Sequence, residues 1–224
     1  MGEMVSFPSN GKTASGYLAL PAAPGPAVVV IQEWWGLVPH IKKVADRFAA
    51  EGFVALAPDL YHGRTTSSPD EAGKMMMSLQ IDEAEKDLRG AVRFALAHES
   101  SAGARVGTVG FCMGGALSLF AACRNPEVGA CVVFYGGHPN VKPDLASLEA
   151  PMLGLYAGKD GFVTPDSVRA LQKSLADLGK RADIHTYPGV DHAFFNDESA
   201  AYDESAAKDA WKRTTRFLND ELKA

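Results

Sequence analysis

The 224-residue sequence predicts an α/β fold: a mostly parallel central sheet with helices on both faces, formed by one domain over residues 1–224. Two observations carry this. Short apolar runs such as residues 28–31 (VVVI), 53–57 (FVALA) and 130–135 lack polar alternation, as strands buried on both faces do. Longer segments with apolar residues at helical spacing separate them, and the alternation continues along nearly the whole chain. With 46% hydrophobic and 22% charged residues the chain can build a packed core, which excludes a disordered segment.

Val5 and Phe7 begin a strand. Residues 13–20 form another, ended by Pro21, and PAAPGP (21–26) is a turn. After the 28–31 strand, residues 40–51 place Ile41, Val44, Ala45 and Phe48 on one helix face, with Gly52 as the stop. Residues 59–69, rich in turn formers, follow the 53–57 strand as a loop. A long helix over 78–98 carries Ile81, Ala84, Leu88, Ala91, Val92 and Ala95 on one side. A strand at 105–111 leads into a small-residue helix at 113–123. Strands at 130–135 and 152–156, a helix at 165–178, a strand at 182–187 and a helix at 205–222 complete the chain. In such sheets ligands bind at the carboxyl ends of the strands.

The net charge of −5 gives no electrostatic reason to bind nucleic acid or an anionic membrane. No apolar run approaches the roughly 18 residues that span a bilayer, and residues 1–12 show no leader pattern. Three cysteines without a C-x-x-C or His/Cys cluster argue against a disulfide scaffold and a structural zinc site. Free thiols suit a reducing cytoplasm, which is the expected location. We expect a monomer, with a dimer left open.

The most informative stretch is GFCMGG at 110–115, between a predicted strand and a predicted helix. It has the form G-x-nucleophile-x-G. Such an elbow projects its central side chain above the sheet from a strained turn, and the glycines let strand and helix approach. The helix start supplies partial positive charge and the Met113 N–H, both favouring a thiolate at Cys112 and a later oxyanion. A buried structural cysteine is the competing reading. Cys123 and Cys131 lie in apolar segments and read as core.

A cysteine nucleophile needs a base, and the base an orienting acid. His192 lies just after the 182–187 strand, in GVDHAF. Asp160 follows the 152–156 strand, in GKDGFV. Cys112, Asp160 and His192 run in the order nucleophile, acid, base, separated by 48 and 32 residues, each enough for a strand–helix unit. That is the chain order of the α/β-hydrolase fold. Asp160 alone could be a turn residue beside Gly161, and Asp191 is a rival acid. His40 reads as helix-start chemistry, His98 as solvated and His185 as a sheet-face residue, while His62 and His138 on strand-end loops stay open as pocket residues. Glu33 leaves the 28–31 strand beside Trp34 and Trp35, where desolvation would raise its pKa. The Trp34 N–H is placed as the second oxyanion donor.

Together, QE-x-x-G at 32–36, PDLY at 58–61, GFCMGG at 110–115, YGG at 135–137, GKDGFV at 158–163 and GVDHAF at 189–194 resemble the dienelactone hydrolase (carboxymethylenebutenolidase) family over nearly the whole chain. The resemblance implies a lidless α/β-hydrolase without cofactor or metal that opens an ester or lactone through a thioester. It implies Cys112 as nucleophile, His192 as general base then acid, Asp160 as its orienter, and Glu33 as the partner of the resting thiol. Family members that open dienelactone hold its carboxylate with arginines, one before the long helix and one four residues after the catalytic histidine. Here the second position is Asn196, and residues 69–77 offer only Lys74 and three methionines, with Arg64 nearby. The inferred pocket of Trp34, Trp35, Tyr61, Met75, Met76, Tyr135, Phe162, Phe195 and Asn196 is apolar, although the methionines equally suit a helix core. A neutral ester or lactone is therefore the expected small-molecule substrate, with aryl esters and phosphotriesters as further electrophiles. A non-catalytic ligand binder and a thiol-redox protein using Cys112, with no resolving cysteine evident unless Cys131 lies near in space, are the alternatives.

Overall fold

All seven residues of β3 (Gly25–Ile31) are buried, as are those of β4 (Val54–Pro58), β6 (Val128–Phe134) and β7 (Met152–Ala157), so the unalternating apolar runs lie inside a two-sided sheet. The computed structural model describes residues 2–223. With β1 (Glu3–Ser9), β2 (Lys12–Ala19), β5 (Ser101–Phe111) and β8 (Ala182–Tyr187), these strands form an eight-stranded sheet in the order β1-β2-β4-β3-β5-β6-β7-β8. β1 and β2 pair antiparallel with each other, and β2 with β4. All other pairings are parallel. The β1–β2 turn is Asn10-Gly11, both at positive φ (47° and 73°), the backbone a tight hairpin turn requires.

The helices are α1 (Pro39–Ala50), α2 (Pro69–Ser78), α3 (Ile81–Ala97), α4 (Met113–Arg124), α5 (Pro165–Asp177) and α6 (Glu204–Leu222). On α1 the buried face holds Ile41, Val44, Ala45 and Phe48, as the spacing predicts, and Phe48 meets Trp211 of α6 with ring centroids 4.5 Å apart. Successive residues of β5 face opposite layers. Gly107 packs under Leu218 and Leu222 of α6, whereas Thr108 accepts a hydrogen bond from Ser118 of α4 at 2.9 Å. α4 is buried nearly all round, which explains its run of small and apolar residues.

Two expectations are corrected. The helix expected over 78–98 is α3 and starts at Ile81 rather than at residue 78, because Leu79 and Gln80 adopt extended backbone (ψ 123° and 102°). A separate helix, α2, precedes it, with its own start signals in Ser68-Pro69 followed by Asp70 and Glu71. β5 begins at Ser101 rather than Arg105, its first residues being largely exposed and short of large apolar side chains. Among the described residues no helix is long and apolar enough to cross a membrane.

Candidate active site

β5 ends at Phe111 and α4 begins at Met113, leaving Cys112 alone in the turn with φ 54° and ψ −119°, a conformation costly for a residue with a Cβ. The turn closes only because its neighbours are glycines. A Cβ on Gly110 would sit 1.9 Å from the Gly114 carbonyl oxygen, and one on Gly114 would sit 2.4 Å from the carbonyl oxygens of Ile31 and Gln32. The Cys112 amide donates to Phe134 O (3.0 Å), and its carbonyl accepts from Gly115 and Gly137. These bonds to the start of α4 and to the loop after β6 hold the strained residue in place. Cys112 is 7% exposed and lines a cavity. The Met113 N–H is one of the amides that a helix leaves free in its first turn. The Trp34 N–H has no protein acceptor among the described residues.

His192 and Asp160 come to this turn from the loops after β8 and β7. His192 Nδ1 lies 2.7 Å from Asp160 Oδ2. Asp160 Oδ1 accepts from the Phe162 and Val163 amides, both at 2.8 Å, which fixes the carboxylate plane. A carboxylate only accepts, so Nδ1 carries the proton and Nε2 is the free nitrogen. Burial works against a charge on His192. Hydrogen bonds to Asp160 and Cys112, together with their negative charge, nevertheless push its pKa up to about 10. Tyr135 and Phe162 meet the imidazole edge-on, at 4.9 and 5.7 Å between centroids. The rival Asp191 is exposed and accepts only the backbone amide of His192.

Glu33 is 1% exposed at the exit of β3. Burial pushes its carboxyl above the ordinary range. Opposing this, in falling order, are the charge of His40, a hydrogen bond from Asn196, the charge of His192 and a hydrogen bond from Tyr135. Asn196 Nδ2 donates to Oε2 at 2.8 Å and the Tyr135 hydroxyl to Oε1 at 3.4 Å. Both carboxylate oxygens thus have a partner, and no hydrogen bond between Glu33 and Cys112 is found among the described residues.

Residues 14–222 match the model of the dienelactone hydrolase family. The chain belongs to that family. "Protein usf" of Aquifex pyrophilus is 39% identical over 99% of this chain and 100% of its own length. The "Putative carboxymethylenebutenolidase" of Aquifex aeolicus is 37% identical over all of both chains. A solved dienelactone hydrolase-like promiscuous phosphotriesterase from metagenomic libraries superposes with a TM-score of 0.89 over 99% of this chain and 98% of its own, at 22% identity, which is likeness of fold. The chain is thus a hydrolase acting on ester or lactone bonds, built on the α/β-hydrolase fold.

The enzyme's cavity above Cys112 measures about 640 Å³. Of the predicted pocket residues, Trp34, Trp35, Met76, Phe162 and Asn196 line it, with Glu33, Cys112 and His192. The other four do not. Phe195 is core, stacked on Phe111 at 5.2 Å and Trp211 at 6.1 Å. Tyr135 lies fully buried below the cavity, behind Glu33. Tyr61 turns inward, its hydroxyl 3.2 Å from the Met113 sulfur, and Met75 packs on the core side of α2. Arg64 pairs with Glu71 on the surface and Lys74 is exposed, so neither reaches the cavity. Val38, Pro39, Thr66, Ser67, Ala193, Glu198 and Ser199 complete the lining without a sequence signal that marks them. Cys131 is opposite Thr108, four residues below Cys112 and so about 13 Å away, and contacts Ser118 instead.

Proposed function

We propose that the enzyme cleaves uncharged carboxylic esters or lactones through a thioester on Cys112. One observation carries the reading: His192, bonded to Asp160 at 2.7 Å, lines the same cavity as Cys112, the residue at the apex of a strained elbow. In the proposed reaction His192 Nε2 takes the thiol proton and Sγ attacks the carbonyl carbon. The carbonyl π pair moves to oxygen, where the Trp34 and Met113 amides receive it. As the intermediate collapses, the C–O bond breaks and the imidazolium protonates the leaving alkoxide, which in a lactone stays on the acyl chain. Water then gives a proton to His192 and attacks the thioester. The C–S bond breaks, and the acid and the thiolate are released. When Glu33 is ionised, its charge favours the imidazolium form of His192.

The lining supports a neutral substrate. Trp34, Trp35, Val38, Pro39, Met76 and Phe162 are apolar, the ionisable residues beside the triad are Glu33 and Glu198, and no lysine or arginine takes part. A substrate carboxylate would meet negative charge and no counter-ion. The test is p-nitrophenyl butyrate hydrolysis by wild type and Cys112→Ala, with mass spectrometry of acid-quenched enzyme. Turnover and an acyl adduct in the wild type, both lost in the variant, are expected. Equal turnover by the two proteins would remove Cys112 as nucleophile. Aryl phosphotriesters are a second electrophile that the same amides can serve, in line with the name of the metagenomic neighbour. The same pair of proteins assayed on such a triester tests it.

A further inference from the structure

Phe162 lines two hollows: the cavity above Cys112 and a neighbouring groove of about 390 Å³. The groove runs between the loop after β6 and the start of α5, with Val163, Val168 and Leu171 as apolar wall and the exposed Ser167 at its rim. The Phe162 amide is fixed to Asp160 at 2.8 Å, yet its residue is 52% exposed, high for so large an apolar side chain. Its ring packs against His192 on the cavity side, 5.7 Å between centroids. On the groove side it lies on Gly137, where a Cβ would sit 3.1 Å from the ring. The hollows also adjoin at a second point. His138 of the groove lies with Nε2 3.1 Å from the carbonyl oxygen of Met76, a cavity residue. The Asn140 amide donates to Nδ1 at 3.0 Å, so Nε2 is the donor to Met76. The groove lining holds no aspartate, glutamate, lysine or arginine.

We propose that this groove is a second subsite, which takes an apolar alcohol limb of the ester. The preferred substrates are then esters of longer primary alcohols, or lactones with an alkyl substituent on the carbon that bears the ring oxygen. The inference rests on the thioester reading above, in which His192 protonates the leaving oxygen. That oxygen must lie beside the imidazole. Phe162 packs on the imidazole and also lines the groove, so an alkyl chain that continues from the oxygen crosses Phe162 and enters the groove. Apolar walls without a charged side chain suit such a chain and reject an ionic one. The acyl part keeps the Trp35 and Val38 side of the cavity.

The experiment is kcat/KM by acid release for ethyl butyrate, hexyl butyrate and ethyl octanoate, in wild type and Ser167→Trp. Hexyl butyrate and ethyl octanoate each add four methylenes, one on the alcohol and one on the acyl side, and the two alkoxides leave equally well. Burying a methylene fully is worth about fourfold, and about twofold in a groove open on one side, so hexyl butyrate should exceed ethyl butyrate by about tenfold. Ser167→Trp puts an indole into the groove from its rim and should abolish that gain, with the ethyl octanoate to ethyl butyrate ratio as in wild type. Leu171→Asp, which charges the apolar wall, should act in the same way. No hexyl preference in the wild type, or one that both variants retain, would overturn the proposal. A loss confined to the acyl ratio overturns it too, because the groove would then hold the other limb. If the wild type cleaves none of these esters the thioester reading falls, and titration calorimetry with 1-hexanol still decides the groove. Binding weakened about tenfold by Ser167→Trp supports the subsite, and equal binding removes it.

Discussion

Asp160→Asn isolates the acid of the triad with little change of shape. Asp160 Oδ1 accepts two backbone amides at 2.8 Å, so the asparagine oxygen must take that place and its NH2 must face His192 Nδ1. A donor there forces the imidazole proton onto Nε2, the nitrogen that has to accept from Cys112. Two losses combine. His192 no longer has the carboxylate that helps raise its pKa from 6.5 to about 10, a span worth up to roughly 10³ in proton affinity. The neutral ring is also held in the wrong tautomer, and the same exchange in a serine triad costs about 10⁴ in kcat. We therefore expect kcat for p-nitrophenyl butyrate to fall by about 10³–10⁴, or ~4–5.5 kcal/mol of transition-state stabilisation, with KM little changed. The assay is steady-state hydrolysis near neutral pH, with circular dichroism to show that the variant is folded. A folded variant that loses less than about tenfold would refute both the tautomer argument and the role of Asp160.

Glu33→Gln should stabilise the fold while lowering activity. A carboxyl whose pKa is raised by burial favours the fold while protonated, and that contribution disappears as pH rises from its ordinary value of 4.5 through its folded value. The glutamine variant should melt about 2–4 °C higher near neutrality, for a gain of about 1 kcal/mol, and no higher below that ordinary value. Thermal scans at the two pH values check this. Asn196→Arg places a cation on the cavity wall. It should raise kcat/KM for a lactone bearing a free carboxylate relative to its methyl ester by tenfold or more, on the order of 1.4 kcal/mol, measured with both substrates on both proteins. Gly114→Ala drives a methyl group to 2.4 Å from two backbone carbonyls of the β3 exit, so relief requires moving the loop that carries Trp34. A loss of about 2–4 kcal/mol in urea unfolding is expected.

What could be read from the sequence is what short stretches determine. The parallel strands were legible because burial on both faces leaves unbroken apolar runs, and the elbow because a strained turn between strand and helix demands glycines around Cys112. Asp160 and His192 followed from chain order and from their places just beyond strand ends, which the structure brings within 2.7 Å of each other. The direction of loop side chains was not legible. Phe194, Phe195 and Asn196 are consecutive and all buried, yet only Asn196 reaches the cavity, because Phe111, Phe134 and Trp211 supply a better place for Phe195. Asn10-Gly11 marks the β1–β2 hairpin and Ser68-Pro69 marks the start of α2, so both elements carry local signals.

The same limit explains why His40 reads from sequence as no more than a helix-start residue. Nothing within α1 calls for a histidine there, since the helix already starts on Pro39 and buries Ile41, Val44, Ala45 and Phe48. Its partner Asp197 is 157 residues away, on the loop that also carries the triad histidine. The two loops meet because both follow the carboxyl ends of strands, the one place where an α/β sheet gathers distant segments. An ionised Glu33 without a cation near it would cost stability in proportion to its burial, and the cavity lining offers neither lysine nor arginine.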